Sequence, residues 1–382
     1  MRIGDSIYMD YQASTPLDPR VAIAMTPYAT EIFANPHASQ YSLGQQAYNA
    51  CNSAQSVIAE AIGAMANEIV FTSGATEANN QAVAGVLFGY KGKRNKVLIS
   101  AIEHKCVKEA AAFYGKHLGY HVEEIPVLST GEIDPIAYSL MLTEEVLLVS
   151  VMAVNNEIGT VQQVAILAEQ AHNIGALFHC DAAQAADAVD IDVMDWGVDL
   201  LSLSAHKMYG PKGIGALFID ASLHQDFPAL IQGGGQQEGL RSGTLPTPLC
   251  VGFGKAVSLW GAEKEHRRAH LRHMSDIFLQ TLDDKNISYQ INGAKSFRHF
   301  GNLNIELIDI DAESLLMRLQ PYVCASTGSA CNSGFLASSY VLSAIGLSTS
   351  KASSSIRFSF GQGTDVSQIE EVVHRINKIV KS

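Results

Sequence analysis

No apolar run in this 382-residue sequence is long enough to span a bilayer. The opening residues, Met1-Arg2-Ile3-Gly4-Asp5, lack the apolar core of a secretory signal, so the expected location is the cytoplasm. Positive charge is scarce as well. With 26 Lys+Arg against 38 Asp+Glu the formal net charge is -12, which excludes an unassisted grip on nucleic acid or an anionic membrane. A small-molecule substrate or a protein partner fits better. The six cysteines, Cys51, Cys106, Cys180, Cys250, Cys324 and Cys331, include no Cys-x-x-Cys pair, which argues against a zinc ribbon or a disulfide framework. Each is a single thiol. Solenoid repeats, low-complexity tracts and long charge runs are absent too. The run Gly233-Gly234-Gly235 has neither the Walker pattern nor full Rossmann spacing, and reads as a loop at a close backbone approach.

What is present is a large apolar fraction, 47%, with 17% charged residues, enough to build a sizeable core with two lobes around it. The rhythm is α/β. Short apolar runs recur between longer amphipathic segments: Ile69-Val70-Phe71, Val97-Leu98-Ile99, Val146-Leu147-Leu148-Val149, Ala176-Leu177-Phe178, Leu200-Leu201-Ser202-Leu203 and Ala216-Leu217-Phe218-Ile219. Such runs mark strands buried on both faces. From about Leu249 a long amphipathic stretch runs through Trp260, Leu271 and Leu279 towards a C-terminal lobe. The chain closes on a helix with Val366, Ile369, Val373, Ile376 and Val380 in register, opened by a capping-box pair, Asp365 and Gln368.

Ligands in open α/β sheets collect where the strands end. Here those ends are polar: Thr72-Ser73-Gly74-Ala75-Thr76, Glu103-His104, Asn155-Asn156-Glu157, Asp181-Ala182-Ala183-Gln184 and Ser204-Ala205-His206-Lys207. Together they suit pyridoxal phosphate (PLP), which needs a lysine for its Schiff base, an acid for the pyridine nitrogen, a phosphate cradle and a group on the ring face. Lys207 and Asp181 follow neighbouring strands and supply the first two. Taken singly, Asp181 reads as a helix cap and Lys207 as a solvated loop lysine. Gly74-Ala75-Thr76 opens a helix whose free N–H groups suit a phosphate, with Thr76, Ser204 and His206 as further donors. His104 is placed to stack on a ring and move protons. A metal site from His104, His179, Cys180 or His206 is disfavoured, because His179 and Cys180 face opposite sides of a strand and no pair has helical spacing.

These stretches resemble the cysteine desulfurase family (the NifS/IscS group), class-V aminotransferase-like enzymes of PLP fold type I. Tyr11-Gln12-Ala13-Ser14-Thr15-Pro16, Asn35-Pro36-His37, Thr72 to Glu77, Glu103-His104-Lys105 and Asn155 to Gly159 carry the likeness. So do Ser204 to Gly213, Arg241-Ser242-Gly243-Thr244, Gly328-Ser329-Ala330-Cys331 and Ser355 to Ser359. The resemblance implies a mostly parallel seven-stranded sheet in a large domain (15–255), plus a smaller α+β domain from 1–14 and 256–382. It implies Lys207 as the Schiff-base residue, Asp181 on the pyridine nitrogen, Gln184 on the ring hydroxyl, and His104 over the ring with Asn155 beside it. Thr76, Ala75, Ser204 and His206 would hold the phosphate, with Thr244 reaching in from the second subunit of a homodimer. Arg357 would clamp the substrate carboxylate bidentately, with Asn155 and Asn35 also at the substrate.

Cys331 is the discriminating residue, since an aminotransferase needs no thiol there. Its implied role is to attack the sulfur of L-cysteine as a thiolate, leaving a persulfide and alanine, with the sulfur passed to an acceptor protein. Cys51, Cys106, Cys180 and Cys250 are expected to be small buried hydrophobes, and Cys324 structural. Gln236-Gln237-Glu238-Gly239 and Asn332 depart from the family pattern. The short tail suggests a dedicated acceptor, such as one serving DNA phosphorothioation, in place of general iron-sulfur cluster assembly, and supply of sulfur for iron-sulfur clusters or thionucleosides stays open beside it. The rival readings are selenocysteine lyase, another PLP transferase, and a PLP-bearing scaffold without turnover.

Overall fold

The computed structural model describes residues 1–327 and 339–381. The apolar runs become strands of one seven-stranded sheet: β1 (Ile69–Thr72), β2 (Lys96–Ser100), β3 (His121–Ile125), β4 (Val146–Ser150), β5 (Leu177–Asp181), β6 (Leu200–Ser204) and β7 (Gly215–Ile219). Their order in space is β1-β7-β6-β5-β4-β2-β3, and only β7 runs antiparallel to its neighbours. Successive residues point to opposite faces, and both faces are covered. Phe71, Leu98, Phe178, Leu201 and Phe218 pack against the helix Ser42–Ala61 and the first half of α3 (Thr247–Asp284). On the other side, Val70, Val97, Ile99, Leu148 and Leu217 pack under α1 (Ala75–Gly89) and α2 (Lys105–Leu118).

The strand β3 does not stand out among the apolar runs, for a physical reason. It lies at the sheet edge and carries Glu123 and Glu124, which pair with Lys96 at 2.7 Å and Lys108 at 2.6 Å. An edge strand half in water has no need of a continuous apolar run.

The smaller lobe holds an antiparallel sheet of β8 (Tyr289–Ile291), β9 (Asn302–Leu307) and β10 (Ser355–Ser359), covered by α4 (Val366–Val380). Its core joins Leu271, Met274 and Phe278 of α3 to Ile305, Phe358, Ile369 and Val373, and takes in Ile7 and Met9 from the N-terminus. The helix α3 therefore serves two cores. Val257 and Trp260, beyond the expected boundary at 255, still pack in the large lobe, and Leu271 is in the small one. Asp365 caps α4 by accepting from the Gln368 N–H at 2.9 Å, while the Gln368 amide returns to the Asp365 carboxylate at 2.6 Å. The return bond of a full capping box would go to the backbone.

Candidate active site

The C-terminal ends of β1, β2, β4, β5 and β6 open on one cavity of about 500 Å³, which also receives Gln12, Ala13 and Ser14 from the N-terminal segment and Arg357 from β10. Thr76, Ala75, His104, Asp181, Gln184, Ser204, His206, Lys207 and Arg357, all anticipated from the sequence, line it.

One end of the cavity is built for an anion. After β1 the chain turns through Gly74, at φ 148°, into α1, so that Ala75 and Thr76 bring the first N–H groups of a helix to the cavity. The turn is braced by Glu77, which accepts from the Ser73 N–H at 2.8 Å and from Arg241 Nε at 2.8 Å. It also needs a glycine opposite. A Cβ on Gly215 would lie 2.4 Å from the Leu203 carbonyl oxygen and 2.8 Å from Gly74 Cα, both backbone atoms that cannot swing aside. We expect Gly215→Ala to cost about 1–3 kcal/mol of stability by overpacking and to weaken cofactor binding, as measured by thermal melts and cofactor titration. Beside the turn, His206 shares a hydrogen bond at 3.1 Å between Nδ1 and Ser14 Oγ. Burial, helped by Lys207 and Lys212, lowers its pKa to about 4, so its ring is neutral at physiological pH.

The cavity also holds a buried acid. Asp181, the last residue of β5, accepts from the Ala183 N–H at 2.9 Å and from Asn79 Nδ2 at 2.7 Å. Lys207 follows β6 on a short 3-10 turn, and its ammonium donates to the carbonyls of Gln12 and Ala13, the latter at 2.9 Å. Gln184 Nε2 donates to the same Gln12 carbonyl at 3.0 Å. Thr15 ties this segment down by donating N–H and Oγ1 to the His206 carbonyl at 3.0 and 2.9 Å.

Arg357, 4% exposed, donates to the Asn156 carbonyl at 2.8 Å and pairs with Asp10 at 2.7 Å. Among the described residues its Nε has no partner, nor do Asn156 Oδ1 and Gln12 Oε1. Buried polar atoms are rarely left so, and these three belong to residues that line the cavity, which marks it as a site for a polar ligand.

Three anticipated residues stand elsewhere. Asn155 is fully buried behind the wall: Nδ2 donates to the Ile102 carbonyl at 2.9 Å, and Oδ1 accepts from the Glu157 and Ile158 N–H groups at 2.9 and 3.0 Å. Its amide is consumed in holding the loop after β4, and Asn156 reaches the cavity instead. Asn35 is exposed, accepts from the His37 N–H at 2.9 Å and does not line the cavity of this chain. Thr244 is likewise exposed and outside it. Cys331 lies outside the described residues.

Gln12 and Asn156, which stand in the quoted stretches without an assigned role, line the cavity as well. Cys106, expected as a small buried hydrophobe, instead lines the cavity with Sγ 2.9 Å from His104 Nδ1. The available signal was its place two residues after His104, where a helix N-cap bonds to the backbone. Cys51, Cys180 and Cys250 are buried as expected. His179 sits between Ser150 and Ser202 at 2.8 and 3.1 Å, and burial lowers its pKa to about 4, so it is a core histidine. No cluster able to hold a metal occurs among the described residues.

Residues 7–372 match the family described as aminotransferase class-V. This chain belongs to that family. It is 43% identical over 380 residues to the cysteine desulfurase IscS of Rickettsia bellii, covering 98% of this chain and 92% of that protein. Among solved structures, a NifS-like protein superposes with a TM-score of 0.91 at 28% identity, covering 98% of this chain and 99% of that one. SspA in complex with cysteine gives a TM-score of 0.82 at 36% identity, covering 93% and 98%.

Class-V aminotransferases are PLP enzymes of fold type I, and the cavity fits that cofactor in its donor set. An open helix N-terminus suits a phosphate, and a buried carboxylate suits a protonated pyridine nitrogen. Lys207 brings its amine to the same cavity. The large mixed sheet with a smaller α+β lobe is the architecture that the sequence resemblance implies.

Proposed function

We propose that this protein is a PLP-dependent cysteine desulfurase that converts L-cysteine to L-alanine and holds the released sulfur as a persulfide on Cys331. The observation that carries this reading is the meeting of Lys207, Asp181, His104 and Arg357 in one cavity, next to the strand pairing that leads to Cys331. Ser326 exchanges backbone hydrogen bonds with Arg357, at 3.2 and 2.7 Å. Cys331 follows Ser326 by five positions in the sequence, a reach of at most about 18 Å for an extended chain. On the far side, Ser339 donates to Glu157 at 2.5 Å, one residue from Asn156.

When bound, PLP supplies an electron sink for a carbanion at the substrate α-carbon. The residues of the chain do the rest. Lys207 would hold the cofactor, and its amine would take the α proton of the bound substrate. Asp181, which accepts from Asn79 and the Ala183 N–H, would hold a proton on the pyridine nitrogen. Arg357 binds the substrate carboxylate. Cys331, as thiolate, forms a bond to the substrate sulfur as the carbon–sulfur bond breaks. The electron pair of the broken bond passes to the β-carbon, which takes a proton to become the methyl group of alanine, the Lys207 ammonium returns the proton to the α-carbon, and the enzyme keeps the persulfide.

This reading includes a cytoplasmic homodimer in which the exposed Thr244, held near α1 by the Arg241–Glu77 pair, reaches the phosphate site of the partner. It also includes transfer of sulfur to an acceptor protein for iron-sulfur, thionucleoside or DNA phosphorothioate products. We expect Arg357→Lys to raise the KM for cysteine about ten- to a hundredfold, because an ammonium cannot give two parallel bonds to a carboxylate. Steady-state kinetics check this. The deciding experiment compares alanine and persulfide yields from cysteine in the parent and in Cys331→Ser. Equal sulfur release by both would overturn the proposal.

A further inference from the structure

We propose that Asn79 and Cys106 are positioning residues, forming a hydrogen-bonded relay from Asp181 to His104 that holds the His104 proton on Nε2. The proposal rests on the reading above only in placing His104 at the cofactor.

Asn79 is fully buried on α1. Its Nδ2 donates to Asp181 Oδ2 at 2.7 Å and to Cys106 Sγ at 3.1 Å, so the two protons of one amide go to two acceptors. A carboxylate can only accept, which fixes the orientation of the amide. Cys106 then meets His104 twice. Its backbone N–H donates to His104 Nδ1 at 3.2 Å, and its Sγ lies 2.9 Å from the same nitrogen. A backbone N–H cannot accept, so Nδ1 carries no proton and the neutral ring is protonated on Nε2. The thiol must likewise donate to Nδ1.

The thiol is equipped to stay protonated. Burial, with Asp181 and Glu103 nearby, pushes its pKa up to about 12 against the donors Asn79 and Thr76. Around His104, burial lowers the proton affinity, Asp181 raises it, and Lys207 and Lys105 lower it. With Nδ1 occupied by two donors, His104 offers the cavity a hydrogen-bond donor in place of a base. Abstraction of the α proton is left to Lys207. An alanine at 106 would remove one donor, and a serine would replace the thiol with a hydroxyl in nearly the same place.

The test is ¹⁵N NMR of histidine-labelled full-length protein, with and without cofactor, using His104→Gln to assign the resonance. The parent is expected to show a pyrrole-type Nε2 and a pyridine-type Nδ1. Loss of a donor to Nδ1 destabilises the neutral ring, so Cys106→Ala should raise the His104 titration midpoint by about one unit, and Cys106→Ser should restore it. An unchanged midpoint in Cys106→Ala, no recovery in Cys106→Ser, or an Nδ1–H tautomer in the parent overturns the relay. None of these readouts requires turnover, so they stand or fall separately from the desulfurase reading tested through Cys331.

Discussion

Cys331→Ser is expected to bind PLP as the parent does and to lose persulfide formation from L-cysteine by on the order of 10⁴-fold or more, the scale on which removal of a covalent nucleophile falls. The reason lies in ionisation and in the atom attacked. A thiol near its ordinary pKa of about 8.5 is a few per cent thiolate at neutral pH, and thiolates attack sulfur through a mixed disulfide-like state. A serine hydroxyl is not appreciably ionised there and forms no comparably stable bond to sulfur. No cofactor contact should change, because the groups proposed to hold the cofactor come from other residues, among them Thr76, Asp181 and Lys207. Cofactor absorbance, mass spectrometry of the enzyme for a 32 Da adduct (roughly one sulfur atom) and alanine quantification measure the three arms. Retained cofactor with lost adduct supports the mechanism. Sulfur liberated by the serine variant at the parent rate refutes it.

Replacing Lys207 by alanine should release the cofactor on dialysis and lower alanine formation by on the order of 10³-fold or more, since in the proposed mechanism one side chain would both anchor PLP and move the α proton. The loss is chemical, and the fold should survive it. Lys207 sits on a short turn between β6 and β7, and the turn is held independently by Thr15 and by the Tyr209 N–H donating to Thr15 Oγ1 at 2.9 Å. Lys207→Arg is the informative control. A guanidinium can still donate to the Gln12 and Ala13 carbonyls, but it stays protonated and makes no Schiff base. Both variants should therefore lose the absorbance of covalently held cofactor while their melting curves remain close to the parent's. A Lys207→Ala protein that keeps borohydride-reducible cofactor would place the anchoring amine elsewhere.

The expected loss on Lys207 substitution was legible before any coordinates, because Ser204 to Gly213 is a local string and the apolar run before it announces a doubly buried strand. The same holds for Asp181 at the end of β5, for the helix opening at Ala75, for the long α3 and for the Asp365 cap on α4. All of these depend on periodicity or on partners within a few residues, and such signals are written along the chain itself. Cys331 belongs with them as a recognisable residue, although its place in space is not described.

Contacts between distant segments left no such mark. Cys106 looked like core because its surroundings are set by Asn79, Asp181 and His104, which converge only when α1, β5 and the start of α2 are packed. Asn155 and Asn156 are chemically identical, and which amide reaches the cavity is settled by the turn that consumes Asn155. The pairing of Gln12 with Lys207 spans 195 positions, and that of Arg357 with Asp10 spans 347. The antiparallel run of β7 and the polar edge strand β3 were hidden for the same reason. Backbone pattern and buried apolar runs specify which elements form. Polar partners across the fold are chosen afterwards, by whichever groups burial forces to share their hydrogen bonds.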